Sequence, residues 1–298
     1  MAMTDFNEHT ITQAVLKSFS ATPDPRLRAI LASLVHHLHD FIRDIEPSFA
    51  EWQAAIDFLT RTGQMCSDTR QEFILLSDTL GASMLVDAIN HRMPEGATET
   101  TVLGPFFVEK RPDVPNGADV SAGRPGEKLL VQGSVRAAGG GPLPGATIDI
   151  WHSDDDGYYD VQRGDLDAAS GRARLRTNAD GKFWFWTIHP AFYPIPHDGP
   201  VGELLRATER HPYRPAHVHF MIAAPGYEEL VTHVFVAGDP YLDSDAVFGV
   251  KQSLIADYTH CPPGIAPDGT RMDEPWRHLS YDFGLKPLAA ALQTGAAA

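Results

Sequence analysis

The stretch Arg214-Pro-Ala-His217-Val-His219-Phe220-Met-Ile222 decides how this chain is read. From Ala216 to Ile222 it has the composition of a β-strand, in which side chains two residues apart share a face. His217 and His219 therefore point the same way. Imidazole is the commonest metal ligand among protein side chains, so such a pair on rigid backbone is half of a metal site. In isolation such a pair is more often two ordinary polar residues, and what the chain brings to that face decides between them.

Working outward, runs of strand type recur at 129–135, 146–152, 182–188 and 230–236. Turn residues such as Gly139-Gly-Gly-Pro-Leu-Pro144 and Asn178-Ala-Asp-Gly181 separate them. Short strands without intervening helices predict a β-sandwich rather than a βαβ fold. Toward the N-terminus the period changes. Ile11, Ala14, Val15 and Phe19 fall at helical spacing, and Leu27, Ile30, Leu31, Leu34, Val35, Leu38, Phe41 and Ile42 sustain a longer stripe. Pro25 suits the start of that helix, Pro47 that of the next, and Asp68-Thr-Arg-Gln71 reads as a capping box before one helix over 73–90. His36, His37 and His39 fall on a solvated helix face and are not read as ligands. The fold class is α+β, with a helical domain over 1–98 and a β-sandwich with long loops over 99–288. The sandwich domain begins with a Pro- and Gly-rich arm that runs to about 128, and a disordered tail over 289–298 ends the chain.

With 298 residues and a formal net charge of −15, the chain is a poor partner for nucleic acid or anionic membrane surfaces. It has no apolar run long enough to span a bilayer and no signal-peptide pattern at its start. Cys66 and Cys261 stand far apart without a CxxC spacing, which predicts free thiols and a cytoplasmic setting.

Two further stretches look costly for structure alone. One is Asp149-Ile-Trp-His-Ser-Asp-Asp-Asp-Gly157-Tyr-Tyr159-Asp, a strand running into an acidic turn with two tyrosines. The other is Ile188-His-Pro-Ala-Phe-Tyr193-Pro-Ile195-Pro196, a proline-clamped loop presenting a third. Each tyrosine alone reads as an amphipathic packing residue. Beside two histidines they suggest hard phenolate oxygens suited to Fe(III), although the carboxylates at 154–156 also leave open an Fe(II) site of two histidines and a carboxylate.

Four motifs in order now carry a resemblance: Leu103-Gly-Pro-Phe-Phe107, Trp151-His…Asp156-Gly-Tyr-Tyr159, Pro190-Ala-Phe-Tyr193 and Arg214-Pro-Ala-His217-Val-His219. Over roughly residues 10 to 285 the chain resembles the intradiol ring-cleavage dioxygenases. The resemblance implies one mononuclear non-haem Fe(III) per subunit, held by Tyr159, Tyr193, His217 and His219. The family pattern Gly-x-Tyr selects Tyr159 over Tyr158. It also implies that Tyr193 leaves the metal to act as a base, while Arg214 stabilises carbanion character on the ring. His233 stands where many catechol-cleaving relatives carry Gln, and a hydrogen bond to the site is expected of it. His152 and His189 match no ligand position.

The segment from Glu72 to Val86, Tyr193–Pro196 and His233 most resemble the hydroxyquinol-cleaving branch. In that branch Leu75 and Asp78 overlie the metal, and Val102, Leu103, Gly104, Pro105, Phe106, Ile195 and Pro196 wall the ring. Benzene-1,2,4-triol and O2 are the implied substrates, with 3-hydroxy-cis,cis-muconate, the tautomer of maleylacetate, as product. Catechol or chlorocatechol cleavage, or a non-catalytic binding module, are the alternatives. The resemblance further implies a homodimer through the N-terminal helices, with a lipid bound between subunits in some members.

Overall fold

The structure is a computed structural model that describes residues 6–288 apart from Thr69 and residues 165–168. The expected disordered tail from residue 289 lies outside the described residues. Contacts divide the chain into two compact units, residues 1–61 and residues 62–298. The division falls earlier than the sequence boundary at 98/99.

The first unit holds α1 (Ile11–Ser18), α2 (Pro25–Ile45) and most of α3 (Phe49–Gln64). Asp24 caps α2 by accepting from the N–H groups of Arg26 and Leu27, and Pro25 fills its first position, where no N–H is needed. Ser48 and Glu51, rather than Pro47, open α3 through a reciprocal capping box. The long stripe of α2 is not a core. Leu27, Ile30, Leu34, Leu38, Phe41 and Ile42 are all exposed, and Phe49 on α3 is 91% exposed.

In the second unit the single helix expected over 73–90 is two. α4 (Glu72–Thr79) and α5 (Ala82–Asn90) meet at Gly81, whose φ of +73° begins a new helix axis. Among the described residues α4 is not opened by a capping box at Asp68: the N-cap is Gln71, whose side chain makes no cap hydrogen bond.

The strands follow as β1 (Lys128–Ala137), β2 (Thr147–His152), β3 (Arg172–Arg176), β4 (Lys182–Ile188) and β5 (Tyr193–Pro194). After α6 (Pro200–Ala207) come β6 (Tyr213–Arg214), β7 (His217–Ala223), β8 (Leu230–Val236), β9 (Ile255–Ala256) and β10 (Thr259–Cys261). The set ends with β11 (Gly264–Ile265), β12 (Arg271–Met272), β13 (Trp276–Ser280) and β14 (Phe283–Leu285). One sheet has the order β3-β2-β7-β8-β9, and the other has β10-β13-β1-β14 with β4 also on β1. Ile148, Ile150, Val218, Phe220 and Ile222 from the first share a core with Leu129, Val131, Phe183, Phe185 and Phe283 from the second. This is the predicted sandwich.

Because Val218, Phe220 and Ile222 fill the core, strand alternation sends His217, His219 and Met221 to the outer face of the first sheet. The arm that precedes β1 is aperiodic but fixed. Its backbone N–H groups at Thr101, Val114, Gly117 and Val120 bond carbonyls of Val231, Arg174, Trp184 and Trp186. Arg111 from the arm and Arg174 from β3 both grip the buried Asp149 carboxylate, at 2.6 and 2.7 Å.

Candidate metal centre

On β7, His219 lies opposite Trp151 of β2 and His233 of β8, and His217 lies opposite Phe235. The Trp151 indole stacks on the His219 ring at 4.5 Å. His217 Nδ1 donates to the Pro215 carbonyl at 2.7 Å, which leaves its Nε2 with a lone pair. The two Nε2 atoms are 3.0 Å apart.

Tyr159 arrives from the acidic turn after β2. Asp154 accepts from the N–H groups of Asp156 and Tyr158, and Gly157, at φ +83°, turns the chain inward. A Cβ at Gly157 would stand 2.8 Å from the Phe192 carbonyl and 3.2 Å from Tyr193 Cβ, so the two tyrosine loops approach only through glycine. The Tyr159 hydroxyl lies 2.9 Å from His219 Nε2 and 3.5 Å from His217 Nε2. Tyr158 is 51% exposed under the Arg163 guanidinium, away from the histidines. Tyr193 sits on β5, paired with Arg214 on β6, and its ring packs against Tyr159 and His217 at 5.2 and 5.6 Å.

These residues are buried, and burial sets their protonation. It drives the pKa of His217 and His219 well below the ordinary imidazole value, reinforced at His217 by Arg214 and at His219 by His233. It drives Tyr159 well above the ordinary phenol value, reinforced by Tyr193. Two neutral imidazole nitrogens thus face each other and a phenol that has one proton to share between them. The set is short of positive charge and fits a cation, beside which a tyrosinate becomes stable.

Arg214 is buried and bidentate to Asp245, at 3.0 and 3.2 Å, with its other nitrogen 3.5 Å from the Tyr193 hydroxyl. Burial pulls against its charge, but Asp245 together with Tyr193 and Tyr159 outweighs it and raises the pKa, so Arg214 stays cationic. His233 lies between this guanidinium, 3.4 Å away, and the two histidine rings of β7. Its Nε2 has no hydrogen-bond partner among the described residues.

Leu75 and Asp78 of α4 line a slot with Val102, Gly104, Pro105, Phe106, Tyr193, Ile195, Pro196, Arg214 and Val247. Leu103, expected there, is 39% exposed and not in it, and His233, expected to bind substrate, is enclosed beside Arg214 rather than lining the slot. Gly104, at φ +78°, brings its backbone so near that a Cβ would lie 3.2 Å from His219 Cε1. Asp78 is only 7% exposed. Burial raises its pKa, offset in part by a hydrogen bond from Ser83 and by the Arg214 charge. The carboxylates at 154–156 form a group separate from the histidines and bond their own backbone and Arg163, so they do not complete a histidine–carboxylate site.

A family model described as "Dioxygenase" matches residues 102–287, and one described as "Catechol dioxygenase N terminus" matches residues 24–98. The chain is 54% identical over 285 residues to the 6-chlorohydroxyquinol 1,2-dioxygenase of Cupriavidus pinatubonensis, covering 96% of this chain and 99% of that one. Identity to the hydroxyquinol 1,2-dioxygenase of Nocardioides simplex is 49% over 281 residues, covering 94% and 96%. The chain belongs to the intradiol dioxygenase family. Among solved structures, the hydroxyquinol 1,2-dioxygenase of Pseudomonas putida matches with a TM-score of 0.90 at 49% identity, covering 94% of this chain and 99% of that one. The catechol 1,2-dioxygenase of Pseudomonas arvilla matches at 0.78 and 30%, covering 95% and 92%.

Three parts of this dioxygenase's site escaped the sequence reading. Asp245 holds Arg214 from a loop 31 residues away. Arg172 and Asp160 form a buried ion pair at 2.6 Å directly behind Tyr159, and Arg172 also donates to the Phe106 carbonyl at 2.8 Å. The Phe106 ring in turn stacks on Tyr159 at 4.4 Å. Val247, two residues past Asp245, closes the slot. The available signal was strict alternation in Arg172-Ala-Arg-Leu-Arg176, which marks a strand presenting arginines to the loop side.

Proposed function

We propose that this intradiol dioxygenase cleaves hydroxyquinol (benzene-1,2,4-triol) with O2, between its two adjacent hydroxylated carbons, to 3-hydroxy-cis,cis-muconate, the tautomer of maleylacetate. We assign one ferric ion per chain to Tyr159, Tyr193, His217 and His219. The observation that carries this reading is the convergence of two tyrosines and two histidines beside a slot holding one buried carboxylate. Two tyrosinates would neutralise most of the charge of a ferric ion. Relatives named for hydroxyquinol and 6-chlorohydroxyquinol support the substrate.

When bound, ferric iron supplies Lewis-acid activation of the diol and its oxidation by O2. The protein's part follows from the positions of its side chains. Pro215 orients His217, and the Trp151 and Phe106 rings cover His219 and Tyr159 against water. Tyr193, on the two-residue ladder beside Arg214, is placed to take a proton from the incoming diol at its phenolic oxygen. The Arg214 cation faces the same slot and stabilises negative charge developing on the ring. Gly104, Pro105, Phe106, Ile195 and Pro196 hold the ring flat, and Asp78 accepts a hydrogen bond from the third hydroxyl.

A buried carboxylate that the Ser83 hydrogen bond and the Arg214 charge only partly compensate gains from one more donor, which is why Asp78 favours the triol over catechol. Asp78→Ala should lower the ratio of kcat/KM for triol over catechol roughly 10- to 100-fold, the worth of a hydrogen bond to a charged group. An unchanged ratio in oxygen-uptake assays removes Asp78 from substrate choice.

We also propose a homodimer through the exposed stripe of α2 and α3, with the exposed groove lined by Ile42, Phe49 and Trp52 able to take a lipid chain. Light scattering should give twice the chain mass; a monomer would remove this assignment. Cys66 and Cys261 are free, and no described helix is long and apolar enough to cross a membrane. We place the protein in the cytoplasm, where unpaired cysteines stay reduced.

A further inference from the structure

Arg214 faces two carboxylates: Asp245, which it grips, and Asp78, which lines the same slot from α4. Both are tied to one further side chain. Arg210 donates from one guanidinium nitrogen to the Thr79 carbonyl at 2.6 Å and from the other to the Ala246 carbonyl at 3.0 Å. Thr79 directly follows Asp78, and Ala246 directly follows Asp245.

The fold aims Arg210 at this gap. α6 ends with the Arg210 N–H on the Leu205 carbonyl and the Glu209 N–H on that of Arg206. Glu209 takes a left-handed φ of +55°, the helix-ending turn that folds the next residue back over the last turn. At its other end, α6 offers the Val201 N–H to Glu72, the buried first residue of α4, at 3.1 Å. α4 and α6 are therefore cross-linked at both ends. The Phe248 ring lies 4.9 Å from the Arg210 guanidinium.

We propose that Arg210 is a positioning residue for substrate choice: by bridging the two carbonyls it fixes the distance of Asp78 from the Arg214–Asp245 pair, and so the place of the ring's third hydroxyl. The inference rests on the reading of Asp78 given above. Only a planar fork reaches two carbonyls in fixed directions; a lysine ammonium cannot hold both.

The test uses iron-loaded full-length enzyme with Arg210→Met, Arg210→Lys, Asp78→Ala and the Arg210→Met/Asp78→Ala double variant. Steady-state kcat and KM are measured on benzene-1,2,4-triol and on catechol. Arg210→Met is expected to raise KM for the triol about tenfold, with kcat for it within about twofold and the KM for catechol unmoved, and Arg210→Lys to behave alike. In the Asp78→Ala background the Arg210 change should no longer alter the ratio between substrates. Glu72→Met, which removes the acceptor of the Val201 N–H and so loosens the other end of α6, should shift the ratio in the same direction and stands in if an Arg210 variant fails to fold. Equal losses on both substrates, full rescue by lysine, or additivity with Asp78→Ala overturns the inference while leaving the Asp78 reading intact. An unchanged ratio in Asp78→Ala alone overturns both.

Discussion

Arg214→Met should lower kcat/KM on the triol roughly 10²- to 10³-fold, the usual cost of removing one preorganised group that stabilises developing charge. It should also cost about 3–5 kcal/mol of stability, because Asp245 would remain buried without its counter-ion. Both guanidinium–carboxylate bonds join partners that are buried. Among the described residues the Asp245 carboxylate would keep the N–H groups of Val247 and Gly249, at 3.3 and 2.9 Å. The two losses separate in a double variant. Arg214→Met with Asp245→Leu removes both charges and should recover most of the denaturant midpoint but none of the activity. Since the Arg214 pKa is raised from an already high value, its contribution is fully present across the whole working pH range, and the activity loss should not vary with pH. Stability and activity both close to wild type in the single variant would refute the role given to Arg214.

Arg172→Met should have a comparable effect on stability and a distinct one on the metal. Arg172 and Asp160 are each about 2% exposed, so breaking the pair leaves a buried carboxylate, again at about 3–5 kcal/mol. Asp160 adjoins Tyr159, and the Phe106 segment that Arg172 also holds is stacked on the Tyr159 ring. Losing the shared anchor frees two of the surfaces that orient the phenol. Iron affinity, measured by competition with a chelator, should fall roughly 10- to 100-fold, as for other residues that orient metal ligands. Arg172→Lys should not restore it, because one ammonium cannot serve both the Asp160 carboxylate and the Phe106 carbonyl. Wild-type iron affinity in either variant would show that Tyr159 is oriented by other contacts.

What was legible in the sequence follows from how local each signal is. His217 and His219 were legible as a same-face pair because strand alternation is a property of adjacent residues. The sandwich was legible because its strands are short and separated by strong turns. Choosing Tyr159 over Tyr158 needed a family pattern, since the decision lies in the left-handed φ of Gly157 and the Asp154 turn, which no periodicity encodes. The split between α4 and α5 was hidden because the apolar pattern runs through Leu80 without a break, while only Gly81 turns the axis. Asp245 was illegible: it lies in an aperiodic loop, and its partner is 31 residues away. β3 was passed over because three of its five residues are arginines, although each meets a partner, in Asp160, Asp149 and Thr147.

Whether two tyrosinates and two histidines hold ferric iron is tested most directly by the visible absorption of iron-loaded protein. Phenolate-to-ferric charge transfer should colour the wild type red-brown. Tyr159→Phe and Tyr193→Phe should each weaken or shift that band in samples still containing iron by elemental analysis. A colourless protein with one iron per chain, or a band unchanged in both variants, would contradict that ligand set.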